Sequence, residues 1–153
     1  MKEIQLTNSP LVALVDDEDY DRVKDFNWSL NNGYAHARWH GETVFMHRLL
    51  LNLFEGDKEH VDHQNYNRLD NRKSNIRKCS RRQNQHHQLK RKGITTSKFR
   101  GVHMHRKKWI ARIKINSIKN QYLGMFTTEQ EAALVYNEAA KQLHGNFAQL
   151  NTL

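Results

Sequence analysis

Asp62 and His63 stand side by side in Val61-Asp62-His63, Asn75 follows the histidine by twelve residues, and Asn84 follows Asn75 by nine. A carboxylate and an amide oxygen are hard donors suited to Mg²⁺ or Mn²⁺, so Asp62 and Asn84 read as metal ligands. A neutral imidazole takes a proton from water near pH 7, so His63 reads as a general base. A base and a divalent metal are the parts that phosphodiester hydrolysis needs, and the spacing is that of a metal-dependent nuclease site.

Charge along the chain points to the same class of substrate. The 153 residues carry a formal net charge of +9, and it is unevenly placed. Residues 1–70 hold 7 Lys and Arg against 13 Asp and Glu, whereas residues 71–128 hold 17 against none. A long acid-free stretch that begins inside the catalytic motif is an electrostatic footprint for a polyanion, because solvated surfaces usually mix both signs. A phosphate-bearing polyanion is the expected partner. With 37 % hydrophobic residues and a mean hydropathy of −0.91, large buried cores are not expected. No apolar run approaches a membrane span and Met1-Lys2-Glu3-Ile4 has no apolar signal core, so a soluble, intracellular, cytoplasmic protein is expected. No obligate protein partner is evident, and a monomer is favoured. The single cysteine, Cys79, excludes an internal disulfide and a four-cysteine zinc ribbon.

The elements that must position the site can be read from local patterns. Leu11 to Val15 suggests a short strand beside the start of the chain. Asp16 and Asp17 offer an N-cap to a helix over 17–26, with Tyr20, Val23 and Phe26 on one face. Asn31-Asn32-Gly33 turns a hairpin between Trp28 to Leu30 and Tyr34 to Trp39, and His40-Gly41 leads into Thr43 to Met46. Leu49, Leu50, Leu53 and Phe54 predict a helix near 47–54. Val61 to His63 and Ile76 to Cys79 are then two strands around a polar loop, and Ser80 with Gln83 makes a capping box that sets Asn84 in the first turn of a helix. Adjacent strand residues face opposite ways, so a bend or bulge at Asp62-His63 is implied.

The stretch VDHQNYNRLDNRKSNIRKCSRRQN resembles the HNH endonucleases, in particular the His-Asn-Asn branch among phage homing enzymes, and Met46 to Leu50 is similar to that group as well. The resemblance implies a ββα-metal nuclease core within residues 43–90, in a module 1–92 with a β-rich N-terminal extension, and products with 5′-phosphate and 3′-hydroxyl ends. It also implies that Asn75 hydrogen-bonds the loop backbone and fixes the site; Asp70 and Asn71 are the alternatives in the same loop. Arg72, Lys73, Arg77, Arg81 and Arg82 are expected to dock phosphates. His47 is expected to support the motif by a hydrogen bond.

A linker is expected at 93–96, inside the polar stretch Lys90 to Thr96. Beyond it, Phe99 to Met104, Trp109 to Ile115 and Gln121 to Phe126 predict three strands, and Thr128 with Glu131 caps a helix that ends at Gly145. The expected fold is α+β throughout, closing on a small three-stranded antiparallel sheet plus one helix. Trp109, Ala111, Ile113 and Ile115 alternate with Ile110, Arg112 and Lys114, which predicts one face under the helix and one basic, free face. Arg100-Gly101-Val102, Trp109-Ile110-Ala111, Leu123-Gly124-Met125-Phe126, Glu131-Ala132-Ala133, Tyr136, His144-Gly145 and Leu150-Asn151 resemble the Apetala-two DNA-binding domain over residues 97–151, in a domain expected at 97–153, and the two resemblances imply double-stranded DNA as the partner. The resemblance implies that the free face reads the major groove, through Arg100, His103, Arg112, Lys114 and Tyr122 in this chain.

Competing readings are weaker on residue chemistry. His60, His86, His87 and Cys79 lack the paired spacing of a structural zinc site. Cys79 has no base arranged beside it, so a cysteine nucleophile is not favoured. Trp28, Trp39 and Trp109 read as core, and His36, His40, His103 and His105 as solvated. The function expected is a site-specific endonuclease of homing type; a DNA-binding regulator without cleavage and a nonspecific nuclease are the alternatives.

Overall fold

The computed structural model describes residues 1–88, 96–116 and 119–153. The chain divides into two compact units, Met1–Asn84 and Gln85–Leu153. Of the expected linker at 93–96, only Thr96 is among the described residues.

In the first unit β1 (Lys2–Gln5) pairs antiparallel with β2 (Val12–Val15), burying Ile4, Ala13 and Val15. A three-stranded meander follows: β3 (Ser29–Asn31), β4 (Tyr34–Trp39) and β5 (Glu42–Phe45). Its first turn is the expected one, with Asn32 at φ 49° and Gly33 at φ 84°, a left-handed pair matched to the strand twist. Trp28, Val15, Val23, Met46 and Leu50 form the buried centre of this unit.

Three expectations change here. The helix over 17–26 is a 3-10 turn at Asp17–Arg22, because the Asp16 carboxylate caps no helix and instead accepts the Lys73 amide at 2.8 Å. The Trp28 indole then takes the Val23 carbonyl at 2.7 Å, which diverts the chain. The helix near 47–54 is only α1 (Met46–Leu50): Asn52 turns to φ 52°, and the Arg48 guanidinium donates to the carbonyls of Phe54, Asp57 and Glu59. Trp39 is 52 % exposed instead of core, since it closes β4 at the His40-Gly41 turn, where its ring meets Phe26 and His40 with centroids 4.9 and 4.8 Å apart.

The motif strands are β6 (His60–His63) and β7 (Ile76–Cys79), antiparallel, leading to α2 (Arg81–His87). Ser80 Oγ accepts the Gln83 amide at 3.2 Å and Gln83 Oε1 accepts the Ser80 amide at 2.8 Å, the reciprocal cap anticipated from the residue types.

In the second unit β8 (Val102–His105), β9 (Lys108–Lys114) and β10 (Asn120–Phe126) form an antiparallel sheet with β9 central, and α3 (Glu129–His144) lies on it. Phe99, Val102, Ala111, Ala132 and Ala133 pack together, next to Ile113, Tyr136 and Ala140. Thr128 and Glu131 form the expected capping box. Ile110 departs from the expected free face. It is 5 % exposed, sheltered between its cross-strand neighbours His103 and Met125.

Gly101 is the tightest point of this unit. At φ +73°, a Cβ there would sit 2.1 Å from the Tyr136 ring and 2.6 Å from the Arg112 carbonyl oxygen. Gly101→Ala is expected to destabilise the second unit by about 3 kcal/mol, combining overpacking with a left-handed side chain. Denaturant unfolding followed through Trp109 fluorescence checks this; a midpoint matching that of the parent chain would contradict it.

Candidate active site and nucleic-acid interface

The β6–β7 ladder runs in register from His60↔Cys79 to His63↔Ile76, so the bulge implied at Asp62-His63 is absent. Regular pairing sends the two side chains to opposite faces. Both are nevertheless buried, Asp62 at 4 % and His63 at 6 % exposed.

Asp62 lies opposite Arg77, whose Nε and Nη2 donate to Oδ2 at 2.8 and 2.7 Å. On the same face sits Cys79, close to the charge of Asp62 and to the backbone amide of Asn84. Asp62 and Asn84 therefore border one side chain, placing a carboxylate near an amide-bearing residue of α2. Burial, and then the Asp62 charge, push the Cys79 thiol up to about 11. It stays protonated at neutral pH, and a cysteine nucleophile has no support.

His63 meets a different set of neighbours. Its ring stands edge-on to His47 at 5.4 Å and beside Tyr34 at 5.9 Å, and its Nε2 has no hydrogen-bond partner. Burial lowers its pKa, opposed by the Asn71 side chain and by the charges of Asp62 and Asp70. Asn71 acts here by proximity: its Oδ1 makes no well-formed hydrogen bond. A neutral imidazole with an unpartnered ring nitrogen has what a proton acceptor needs.

The loop between the strands is braced from within. Asn75 Nδ2 donates to the Asp70 carbonyl at 2.7 Å, and Asn75 Oδ1 accepts the Asn65 amide at 2.9 Å. Asp70, almost wholly buried, accepts Asn65 Nδ2 at 2.8 Å and both Nε and Nη2 of Arg72 at 2.7 Å. Arg72 holds the Asp70 carboxyl below the usual range. β2 clamps the same loop, with Leu14 donating to the Leu69 carbonyl and accepting the Asn71 amide, each at 2.8 Å. Arg68, which sequence reasoning passed over, lies over the Tyr34 ring at 4.7 Å and donates to the Asn32 carbonyl at 3.0 Å. A cation two residues before an aspartate carries no signal of a partner 36 residues upstream.

His47 does not make the supporting hydrogen bond expected of it. Its Nδ1 is buried without a partner, and the ring packs on Tyr34, Phe45 and His63. Burial, with help from His63 and Arg48, lowers its pKa to about 3. The unfolded chain binds this proton below about 6.5 and the folded chain does not. Stability from this group is thus complete above that pH and falls as pH drops, by about 1.4 kcal/mol per unit. Between pH 7 and 5, the native chain is expected to lose about 2 kcal/mol more than His47→Phe in denaturant titrations; equal losses would contradict the burial account.

A cavity of about 530 Å³ opens beside these groups, lined by Asn31, Asn32, Tyr34, His47, His60, Val61 and Asn84 among others. Of the residues expected to dock phosphate, Lys73 is paired with Glu18 at 2.6 Å and Asp19 at 3.3 Å, and Arg72 and Arg77 are paired with Asp70 and Asp62. Arg81 and Arg82 are exposed on α2. In the second unit, register puts His103, Ile110, Arg112 and Tyr122 on one face, with Lys114 next in the row. Arg112 and Lys114 are exposed there, and desolvation, then Arg112, lower the pKa of His103. Arg100 is directed elsewhere, donating to the Gln88 carbonyl and reaching Tyr136.

Among the described residues, no group of three or more His, Cys, Asp or Glu side chains could hold a metal, and no helix is long and apolar enough to cross a membrane. Residues 44–86 match the family model described as HNH endonuclease. The chain is 27 % identical over 146 residues to an uncharacterized HNH endonuclease of Acanthamoeba polyphaga mimivirus, covering 92 % of this chain and 75 % of that protein. Over 55 residues, 35 % of this chain, it is 47 % identical to dehydration-responsive element-binding protein 2A and 44 % identical to protein 2C of Arabidopsis thaliana, spanning 16 % of each. No solved structure matches. The strand-loop-strand-helix that carries Asp62, His63, Asn75 and Asn84 lies within the matched segment, and residues 44–86 are an HNH endonuclease domain.

Proposed function

We propose that this chain is a site-specific DNA endonuclease of homing type that hydrolyses a phosphodiester bond with one divalent metal, Mg²⁺ or Mn²⁺. The observation that carries the reading is the unpartnered Nε2 of buried His63, next in sequence to the buried Asp62, which faces the other side of the ladder, and ahead of a helix bearing Asn84. HNH nucleases generally use a divalent metal, and the donor chemistry here fits one: Asp62 offers a carboxylate and Asn84 an amide oxygen, and the Asp62 charge and the Asn84 backbone both reach Cys79. Those two residues would hold the cation, which supplies Lewis-acid stabilisation of the charge that develops on the reacting oxygens. His63 accepts the proton of the attacking water, while Asn75 keeps the loop that flanks it in place. Arg77 neutralises and orients Asp62. Arg81 and Arg82, exposed on α2, are proposed to dock the DNA backbone, and Arg72 and Lys73 shape the loop through their carboxylate partners.

The second unit is proposed to supply sequence readout through His103, Arg112, Lys114 and Tyr122, with Arg100 outside that row. The plant relatives are named as dehydration-responsive element-binding proteins, and the exposed basic face supports duplex DNA as the partner here. Incubation with phage and host DNA plus Mg²⁺, followed by mapping of the ends, tests the reading. Recurrent ends at one sequence, undiminished by excess RNA or random duplex, support it; scattered ends make the enzyme nonspecific. A regulator without cleavage is the second reading, favoured by the guanidinium that occupies Asp62. Absence of cleavage with any divalent metal, alongside intact binding, would decide for it.

A further inference from the structure

Among the described residues, three hairpins have two-residue turns with both residues at positive φ. Asn32-Gly33 and His40-Gly41 each place glycine second, where the left-handed conformation is free of strain. The third joins β8 to β9: His105 pairs with Lys108, leaving Arg106 at φ 47° and Lys107 at φ 64°. Neither is a glycine, asparagine or aspartate, the residues that take such a turn readily. The strain has no internal return. Arg106, Lys107 and Lys108 are exposed, and none of their side chains makes a hydrogen bond or ion pair among the described residues. No acid occurs between residues 71 and 128 to neutralise them locally. Strained backbone retained without an internal gain is a mark of a functional site.

We infer that the β8–β9 turn is a phosphate clamp: Arg106 and Lys107, continued by Lys108, grip the sugar–phosphate backbone of duplex DNA at the end of the basic sheet face. The inference rests on the reading of the second unit as a DNA-binding module, and adds to it a contact outside the row of groove-facing side chains. Three consecutive cations on a short, ordered hairpin tip extend the face of His103, Arg112 and Lys114 beyond the sheet. Such a tip fits a ridge of phosphates and reads no base, so its contribution is to affinity and register.

Replacing the turn by the residues it would ordinarily use separates the two demands. In the full chain, the double variant R106N/K107G is expected to melt at least about 2 °C higher, because the strain is relieved. It is also expected to bind a random-sequence 30-base-pair duplex at least tenfold more weakly near 0.1 M salt. The slope of log affinity against log salt should shrink by about two, one for each lost phosphate contact. The charge-exchanged R106K/K107R should keep the native slope, and R106Q/K107Q should lose it without altering the backbone. Unchanged affinity and slope in both charge-removing variants would overturn the clamp. A slope that changes equally in R106K/K107R would also overturn it. If the native chain binds no duplex at all, it is the DNA-binding reading that fails, before the clamp is reached.

Discussion

His63→Ala is expected to lower DNA cleavage by about 10²- to 10⁴-fold while leaving duplex affinity within about twofold, because the imidazole acts on water and takes no part in docking. The ring is 6 % exposed, its Nε2 is without a partner, and burial keeps it neutral at pH 7. With a folded pKa below its ordinary value, the native enzyme should hold its rate from neutral pH upward and lose it as pH falls through that lowered pKa. Single-turnover cleavage over a pH series measures both effects. A variant that cuts at the native rate would move the base to another group, such as His47, whose ring lies 5.4 Å away.

The second large effect falls on Asp62. Asp62→Ala removes a carboxylate that is 4 % exposed and strips Arg77 of its partner; breaking one side of a buried ion pair costs about 3 kcal/mol. Cleavage should also lose its response to Mg²⁺, since an oxygen donor is gone. Arg77→Met separates these consequences. It leaves the carboxylate without its guanidinium, so Mg²⁺ should raise the melting temperature of that variant more than that of the native chain. Equal thermal shifts, together with an unaltered metal titration in Asp62→Ala, would remove Asp62 from the metal site.

What was legible in the residues is what local chemistry decides. Asn32-Gly33, Ser80 with Gln83, and Thr128 with Glu131 each specify their turn or cap within four residues, and each is found where the types require. The strand at Ile76 to Cys79 is bounded by the loop and cap on either side and appears unchanged. The misses share a cause: a partner distant in sequence. Asp16 looks like a helix cap until the amide of Lys73, 57 residues away, claims its carboxylate. Lys73 in turn looks like a phosphate ligand until Glu18 and Asp19 are folded against it. Likewise Arg72 and Arg77 read as free cations from the charge run, although Asp70 and Asp62 meet them. Trp39 reads as core by type, but a strand end beside a tight turn has little to bury it. Ile110 shows the opposite error, since alternation alone gives no account of neighbours such as Met125 that shelter an outward residue.

The same pattern holds at the site. The spacing of Asp62, His63, Asn75 and Asn84 pointed to the proposed chemistry, and Asn75 hydrogen-bonds the Asn65 amide and the Asp70 carbonyl, backbone contacts of the kind the family resemblance implied for it. A bulge was inferred from the assumption that Asp62 and His63 must face one way. The regular ladder instead sets them on opposite faces, buried by different neighbours. Tyr34, Arg68 and the Leu14 clamp were illegible because they act through the fold of the N-terminal strands, not through the motif.

The most direct measurement is a nicking assay: the purified full-length chain with supercoiled DNA, Mg²⁺ or Mn²⁺, and an EDTA control, run beside His63→Ala under the same conditions. The account predicts relaxed or linear product for the native chain with metal, none with EDTA, and a loss of at least about a hundredfold for the variant. Native cleavage that persists in EDTA, or that His63→Ala retains in full, would contradict it.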